Sequence, residues 1–442
     1  MGLTFLIIFL IIMMLITVIP RFLNKIHIPT VTAIVLIGIV IGPNMLNIIR
    51  AINLFIGRGY PTYQIYLVIE TFGLIGLVFL MSLAGLESNL KNISRAIKPT
   101  ILLSLSTFLI PAGVGFLVYK FFRPEDFIGQ LFYASLFASH SVGIVFPMLK
   151  ELKIMKTKFG TAILSATMFT DIGSLILVAI CVQYTRHTSY NVAHSISIFD
   201  KLDITTIGNF FIPIFLLVVV SYIVLTLLVI PITGKYIFKQ IHPQDNSRLT
   251  FFLITVFLVI LVGEFIGINI IVGAFIAGVA LSSVKAFYVE DKLLFKKIEG
   301  AGYGFFIPYL FLTIGMKTDI TVLADSVENI YIVVFTVLGL IISKVFSGWI
   351  AMRLAGYSNT KAIIAGIMTT PQLDATLAAA TVGITIGIMP ENFFNSIVIL
   401  AIITSIIMPT ILKIYIKKFK INFEDKEDYL EDAIDDYNIE RL

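Results

Sequence analysis

The chain has little of what marks a soluble enzyme or a secreted disulfide scaffold. Only 13% of its 442 residues are charged and one is a cysteine. Cys181 alone closes no intrachain disulfide and reads as a small apolar filler in a helix. No Gly-x-x-x-x-Gly-Lys-Ser/Thr loop is present, so nothing supports ATP-driven chemistry. Ser139 and His140 are merely adjacent, without a hydrolase context, so an enzyme is not expected. His140 has no second His or Cys at ligand spacing, which argues against a resident metal, and no other cofactor is implied. The net charge of +5 is dispersed over loops, so nucleic acid is not an expected partner.

Apolar length is abundant instead. Hydrophobic residues make up 58% of the chain and the mean hydropathy is +0.99. A helix needs about 20 apolar residues to cross a bilayer, and only helices satisfy their backbone within one segment in lipid. An all-α, multi-pass membrane protein follows. Apolar runs bounded by charges, Gly and Pro predict thirteen spans, starting near residues 3, 29, 66, 98, 127, 158, 207, 247, 268, 300, 328, 360 and 391. Only Gly267 separates the eighth from the ninth. The first, Leu3 to Ile19, lacks a basic n-region and a small-residue cleavage site and reads as a retained span.

With the N-terminus outside, the cytoplasmic loops collect most of the Lys and Arg, Lys98, Lys158 and Lys361 among them. The opposite side holds only Arg50, Arg58, Lys120, Arg123, Arg186, Lys201 and Lys317. That bias predicts a cell (inner) membrane protein with a cytoplasmic C-terminus. The transmembrane domain is expected over 1–420. Residues 421–442 form a short acidic cytoplasmic tail, read as solvated or as a short amphipathic helix.

The chain echoes itself. Phe79 to Leu90, with Gly85, resembles Phe311 to Ile320, with Gly315; Gly38 to Gly42 shares small residues four apart with Ala274 to Gly278. The offset crosses an odd number of spans, so the copies, about 28–185 and 267–416, are expected to be inverted, as in secondary transporters. Two spans look broken at equivalent places. One carries Ser139, His140, Ser141 and Gly143; the other reads Thr370-Pro-Gln-Leu-Asp374, with Pro371 as the breaker.

An ionisable group at membrane depth is costly and marks function by default. Asp171 lies thirteen residues beyond Lys158, or about 20 Å along a helix. Desolvation there favours the protonated carboxyl, so a proton and a monovalent cation would compete for the same oxygens. The alternative is a structural hydrogen bond between helices. Lys344 is the second mid-span charge, read either as a partner for Asp171 or as a structural or snorkelling lysine. His140 is read either as a proton-linked group or as a neutral, hydrogen-bonded lining residue. Glu70 and Glu264 sit near span ends and read as interfacial.

The run Ser141-Val-Gly-Ile-Val-Phe-Pro147, then Phe159 to Ala166, Thr170-Asp171, Gly273 to Ser282, Gly315-Met-Lys-Thr-Asp319 and Lys344 together resemble the monovalent cation:proton antiporters of the Kef and Nap type. The resemblance implies a core domain with two crossed, discontinuous helices, a separate dimerisation domain, and elevator-like alternating access by a homodimer. It implies exchange of Na⁺ (or K⁺) for H⁺, with Asp171 as the ion-binding carboxylate and Lys344 as the membrane lysine. Thr170, Ser139, His140, Ser141, Gln372 and Asp374 would complete the site. Three positions depart from the family pattern. Thr170 replaces the Asp, Asn or Gln before the carboxylate, His140-Ser141 replaces Thr-Ser, and Gln372-Leu-Asp374 replaces Arg-Gly-Glu. Thr170 favours one-for-one exchange, whereas Lys344 resembles the electrogenic branch. A proton-uncoupled channel or ion sensor on this fold is the main alternative; an organic-anion carrier would want a second cationic group at the site besides His140.

Overall fold

Backbone groups in lipid have no water to turn to, so a segment at membrane depth must bond to itself. The computed structural model describes residues 2–25, 28, 30–55, 62–87, 96–141, 144–145, 148–149, 152, 154, 157–188, 211–240, 245–268, 270–284, 292–319 and 326–419, and these build helices and no strand. In chain order they are α1 (Gly2–Asn24), α2 (Thr30–Ile41), α3 (Ile48–Phe55), α4 (Thr62–Glu87), α5 (Ile97–Phe122), α6 (Phe127–Ala138), α7 (Lys158–Thr188) and α8 (Phe211–Gln240). There follow α9 (Asp245–Phe265), α10 (Ile270–Ser282), α11 (Lys292–Ala301), a π-helical turn (Gly302–Phe306), α12 (Ile307–Lys317), α13 (Val327–Leu354), α14 (Asn359–Met368), α15 (Asp374–Thr385) and α16 (Glu391–Phe419).

Among the described residues eight of these helices, α1, α4, α5, α7, α8, α9, α13 and α16, are long and apolar enough to cross a membrane. They start close to the expected positions 3, 66, 98, 158, 207, 247, 328 and 391. Shorter apolar helices fill the segments expected near 29, 127 and 268. The boundary at Gly267 is sharp: its φ of 82° is left-handed, and the amide of Ile268 returns to the carbonyl of Gly263 at 2.8 Å. The segment expected near 300 starts earlier, at Lys292, and passes through the π turn. The helix α3 was not expected, because eight residues carrying Arg50 are too short to read as a span. The tail at 421–442 lies outside the described residues.

The chain divides into two compact units, one of Met1–Glu87, Val182–Ile330 and Pro390–Val398, the other of Ser88–Cys181, Tyr331–Met389 and Ile399–Leu442. In the first unit, glycines set the packing. A Cβ on Gly38 of α2 would lie 2.3 Å from the Leu312 carbonyl oxygen, and one on Gly315 of α12 would lie 2.2 Å from that of Val35. Likewise Gly278 of α10 faces Ser82, and Gly85 of α4 faces Phe275. The segments that echo one another in sequence therefore exchange partners: α2 packs on α12 and α10 packs on α4. Phe9, Phe72, Phe305 and Tyr309 cluster beside these contacts. Glu70 pairs with Lys317 at 3.3 Å, both partly exposed.

In the second unit α5 and α6 lie together, with the Tyr119 and Tyr133 rings 5.4 Å apart. Asp126 caps α6 by accepting from the Gly129 amide and the Tyr119 hydroxyl, each at 2.8 Å. Gly348 of α13 meets Gly366 of α14 backbone to backbone.

Gly278→Ala places a Cβ 2.0 Å from the Ser82 carbonyl oxygen, which cannot yield without separating α10 from α4. A loss of about 1–3 kcal/mol is expected, read as a lower Tm of the solubilised protein. Gly113→Ala in α5 meets nothing within 4 Å and is expected to be neutral or stabilising by up to about 1 kcal/mol.

Candidate functional site

The site lies within the second unit, where two helices stop in its interior. The first, α6, ends at Ala138, and Ser139 turns to extended backbone (φ −63°, ψ 169°). Turn bonding resumes when the amides of Ile144 and Val145 return to the Ser141 carbonyl. Ser139, His140 and Ser141 are all buried. The second, α14, ends at Met368, and helix resumes only at Asp374. Pro371 has no amide hydrogen and its ring clashes with the preceding turn, so this break is dictated locally.

Breaks free carbonyls and amides that must find partners. Gln372 supplies several of them. Its Nε2 donates to the Ser139 carbonyl at 2.6 Å, and its Oε1 lies 3.1 Å from Ser139 Oγ. Thr376 Oγ1 donates to the same Oε1 and stands 2.7 Å from Ser139 Oγ. The Gln372 amide donates to Thr404 Oγ1 on α16 at 3.2 Å. One side chain thus ties the two breaks together.

Lys344, on α13, is fully buried. Its ammonium donates to the carbonyls of Ser139 at 2.8 Å, Ala138 at 2.9 Å and Thr107 at 3.1 Å. The first two close the end of α6, where the half-helix presents the negative end of its dipole, so the cation sits where a helix favours one. His140 Nε2 lies 3.3 Å from the same nitrogen.

His140 joins the two charges. Its ring Nδ1 meets Thr170 Oγ1. That oxygen also lies 3.0 and 2.9 Å from the Ala166 and Thr167 carbonyls, which can only accept, so the threonine hydrogen is used there. Nδ1 then carries the ring proton, and Nε2 turns a lone pair to Lys344; this tautomer is assigned from the network. Its backbone amide donates to Asp171 Oδ1 at 2.9 Å. Asp171 is 4% exposed.

The structure therefore gathers Ser139, His140, Thr170, Asp171, Lys344 and Gln372 into one network. Ser141 is buried two residues beyond Ser139, and its carbonyl accepts the amides of Ile144 and Val145. Asp374 opens α15, and its side chain lies outside the described residues. Thr107, Thr376 and Thr404 were missed by sequence reasoning. Thr376 carried a signal, since it stands four residues after Gln372 and so on the same helical face. Thr107 acts through a carbonyl, which leaves no trace in sequence.

A carboxylate, several hydroxyls and the carbonyls of two helix breaks thus lie within one buried polar network; oxygen groups of this kind are the ones that hold monovalent cations in transporters with broken helices. The model of a family described as "sodium/hydrogen exchanger, transmembrane" matches residues 8–418. The chain belongs to that family. This exchanger is 37% identical over 409 residues to "Probable Na(+)/H(+) antiporter 3" of Methanocaldococcus jannaschii, covering 92% of this chain and 95% of the relative. It is 26% identical over 390 residues to the "Na(+)/H(+)-K(+) antiporter GerN" of Bacillus cereus, covering 87% and 89%. Its fold is shared with the sodium proton antiporter MjNhaP1 of Methanocaldococcus jannaschii, with a TM-score of 0.65 over 92% of this chain and 95% of that one at 17% identity.

Gln372→Leu keeps bulk but removes the donor and acceptor that link the breaks, leaving the Ser139 carbonyl one donor short. A loss of about 1–3 kcal/mol is expected from the thermal unfolding of the exchanger. Thr376→Val removes one hydroxyl from the same network and is expected to destabilise less.

Proposed function

We propose that this protein exchanges Na⁺ for H⁺ across the membrane, with the carboxylate of Asp171 holding cation and proton in turn. The observation that carries this reading is the placement of a buried carboxylate against the extended backbone of one helix break, which Gln372 ties to the other. The activities named for its relatives support the same reading.

The chemistry follows from competition. Ionised Asp171 attracts a dehydrated monovalent cation, and Thr170, Ser139, Ser141 and break carbonyls complete its oxygen shell. Protonated Asp171 loses that attraction and releases the cation. A site that exposes itself to one side at a time then exchanges the two ions. All the site's groups belong to one of two compact units, which supports a moving core in an elevator-like cycle. The exchanged packing of α2 on α12 and α10 on α4 supports the inverted repeat over about 28–185 and 267–416 and, with it, thirteen spans. A homodimer, an external N-terminus and a cytoplasmic C-terminus complete the proposal. K⁺ is the alternative cargo, supported by the name of GerN. Thr170 beside Asp171 gives the site one carboxylate, which favours one Na⁺ per H⁺.

Asp171→Asn is expected to abolish cation-driven dissipation of a pH gradient in proteoliposomes while the protein stays folded. Persistent exchange by that variant would overturn the assignment of Asp171. In the unaltered protein, runs with Li⁺, Na⁺ and K⁺, with and without a valinomycin voltage clamp, rank the cargo and read the stoichiometry. A one-for-one cycle is expected to leave the rate unchanged by the clamp. Steady conductance uncoupled from protons would instead identify a channel.

A further inference from the structure

The second unit also contains a cationic cavity that the ion site does not use. It has a volume of about 640 Å³, and Lys98, Lys158 and Lys361 line it together with Tyr357 and Ser358. Among the described residues no carboxylate lines it. The three lysines come from α5, α7 and α14, at or near the first residue of each, and they are distant in sequence. Three like charges around one cavity repel, and a bound anion would reverse the sign of that interaction. Gly356, at the rim, has a φ of 96° and nothing within 4 Å of where a Cβ would lie, so the cavity is open there.

The helix ends differ in what they leave over. Thr157 Oγ1 accepts the Gly160 amide at 3.0 Å and caps α7. Ser358 Oγ accepts the Lys361 amide and caps α14. In α5 the preceding residue is Ala96, which has no side-chain oxygen, so no side chain caps its first turn. The cavity therefore combines three ammonium groups with one helix end not capped by a side chain.

We propose that this cavity binds a phosphate-bearing anion, either the headgroup of an anionic phospholipid or a soluble phosphate compound. Ammonium groups take phosphate as point charges, and uncapped helix amides add directed donors. The site is separate from the exchange chemistry but mechanically joined to it. α5 carries the Thr107 carbonyl, α7 carries Thr170 and Asp171, and α14 runs into the break at Thr369. Asp171 lies thirteen residues beyond Lys158, or about 20 Å away. An anion held by all three lysines would clamp the starts of the helices that bear the ion site, and would change the rate of exchange without entering it.

Binding is tested on the purified full-length protein by two probes. Native mass spectrometry reads retention of phosphatidic acid against phosphatidylcholine, and a thermal-shift titration reads inorganic pyrophosphate and ATP. The unaltered protein is expected to retain one anionic phospholipid, or to bind the soluble probe saturably. K98Q/K158Q/K361Q is expected to lower the affinity by about tenfold or more, since three ammonium groups near the anion are lost. K413Q/K417Q/K418Q removes the same charge from the end of α16 and is expected to bind normally. A response to lipid alone assigns a headgroup, and a response to the soluble probes alone assigns a free phosphate ligand. No saturable binding of either kind, or equal loss in both triple variants, overturns the proposal. If the first triple variant fails to fold, K361E is assayed against the same criteria.

Discussion

An unwound stretch of backbone inside a membrane is the constraint on which this site rests. Each broken helix leaves carbonyls and amides with no partner along the chain, and lipid offers none. Here Gln372 crosses from one break to the Ser139 carbonyl of the other, and Lys344 takes up the carbonyls at the end of α6. The break also frees the His140 amide, which donates to Asp171 Oδ1 and would have stayed in the ladder of a continuous helix.

The same network explains why two opposite charges can share a buried space. Lys344 is held by three carbonyls, so its burial does not depend on a direct ion pair. His140 separates and connects the charges at once, with its amide on Asp171 and its ring between Thr170 and Lys344. Removing a partner from such a group leaves a buried charge or lone pair unmet, which is costlier than never having placed it there. Two of the departures from the family pattern lie in this network: His140 meets Thr170, and Gln372, at the arginine position, both donates to and accepts from Ser139.

The first unit follows a different rule. Its closest contacts pair glycines whose missing Cβ atoms allow backbones to touch, Gly38 with Gly315 and Gly85 with Gly278. In lipid, apolar burial alone does little to join helices, so close van der Waals packing at small residues takes over. In the second unit buried polar bonds hold the breaks together, as far as Thr404 on α16.

The sequence by itself determined the helical class, the positions of the long spans, the break at Pro371 and the one carboxylate deep in an apolar helix. Each of these is written in a local property: hydropathy over about 20 residues, a missing amide hydrogen, or a charge with no neighbour along the chain. Only the tertiary structure decided which groups the polar residues meet. The sequence leaves His140 open between two roles, and the structure shows what its ring meets, Thr170 on one side and Lys344 on the other. Thr107, Ala138 and Ser139 enter through carbonyls, which every residue has and no sequence advertises. The lysine-lined cavity is of the same kind, since Lys98, Lys158 and Lys361 become neighbours only when three distant helices begin at one place.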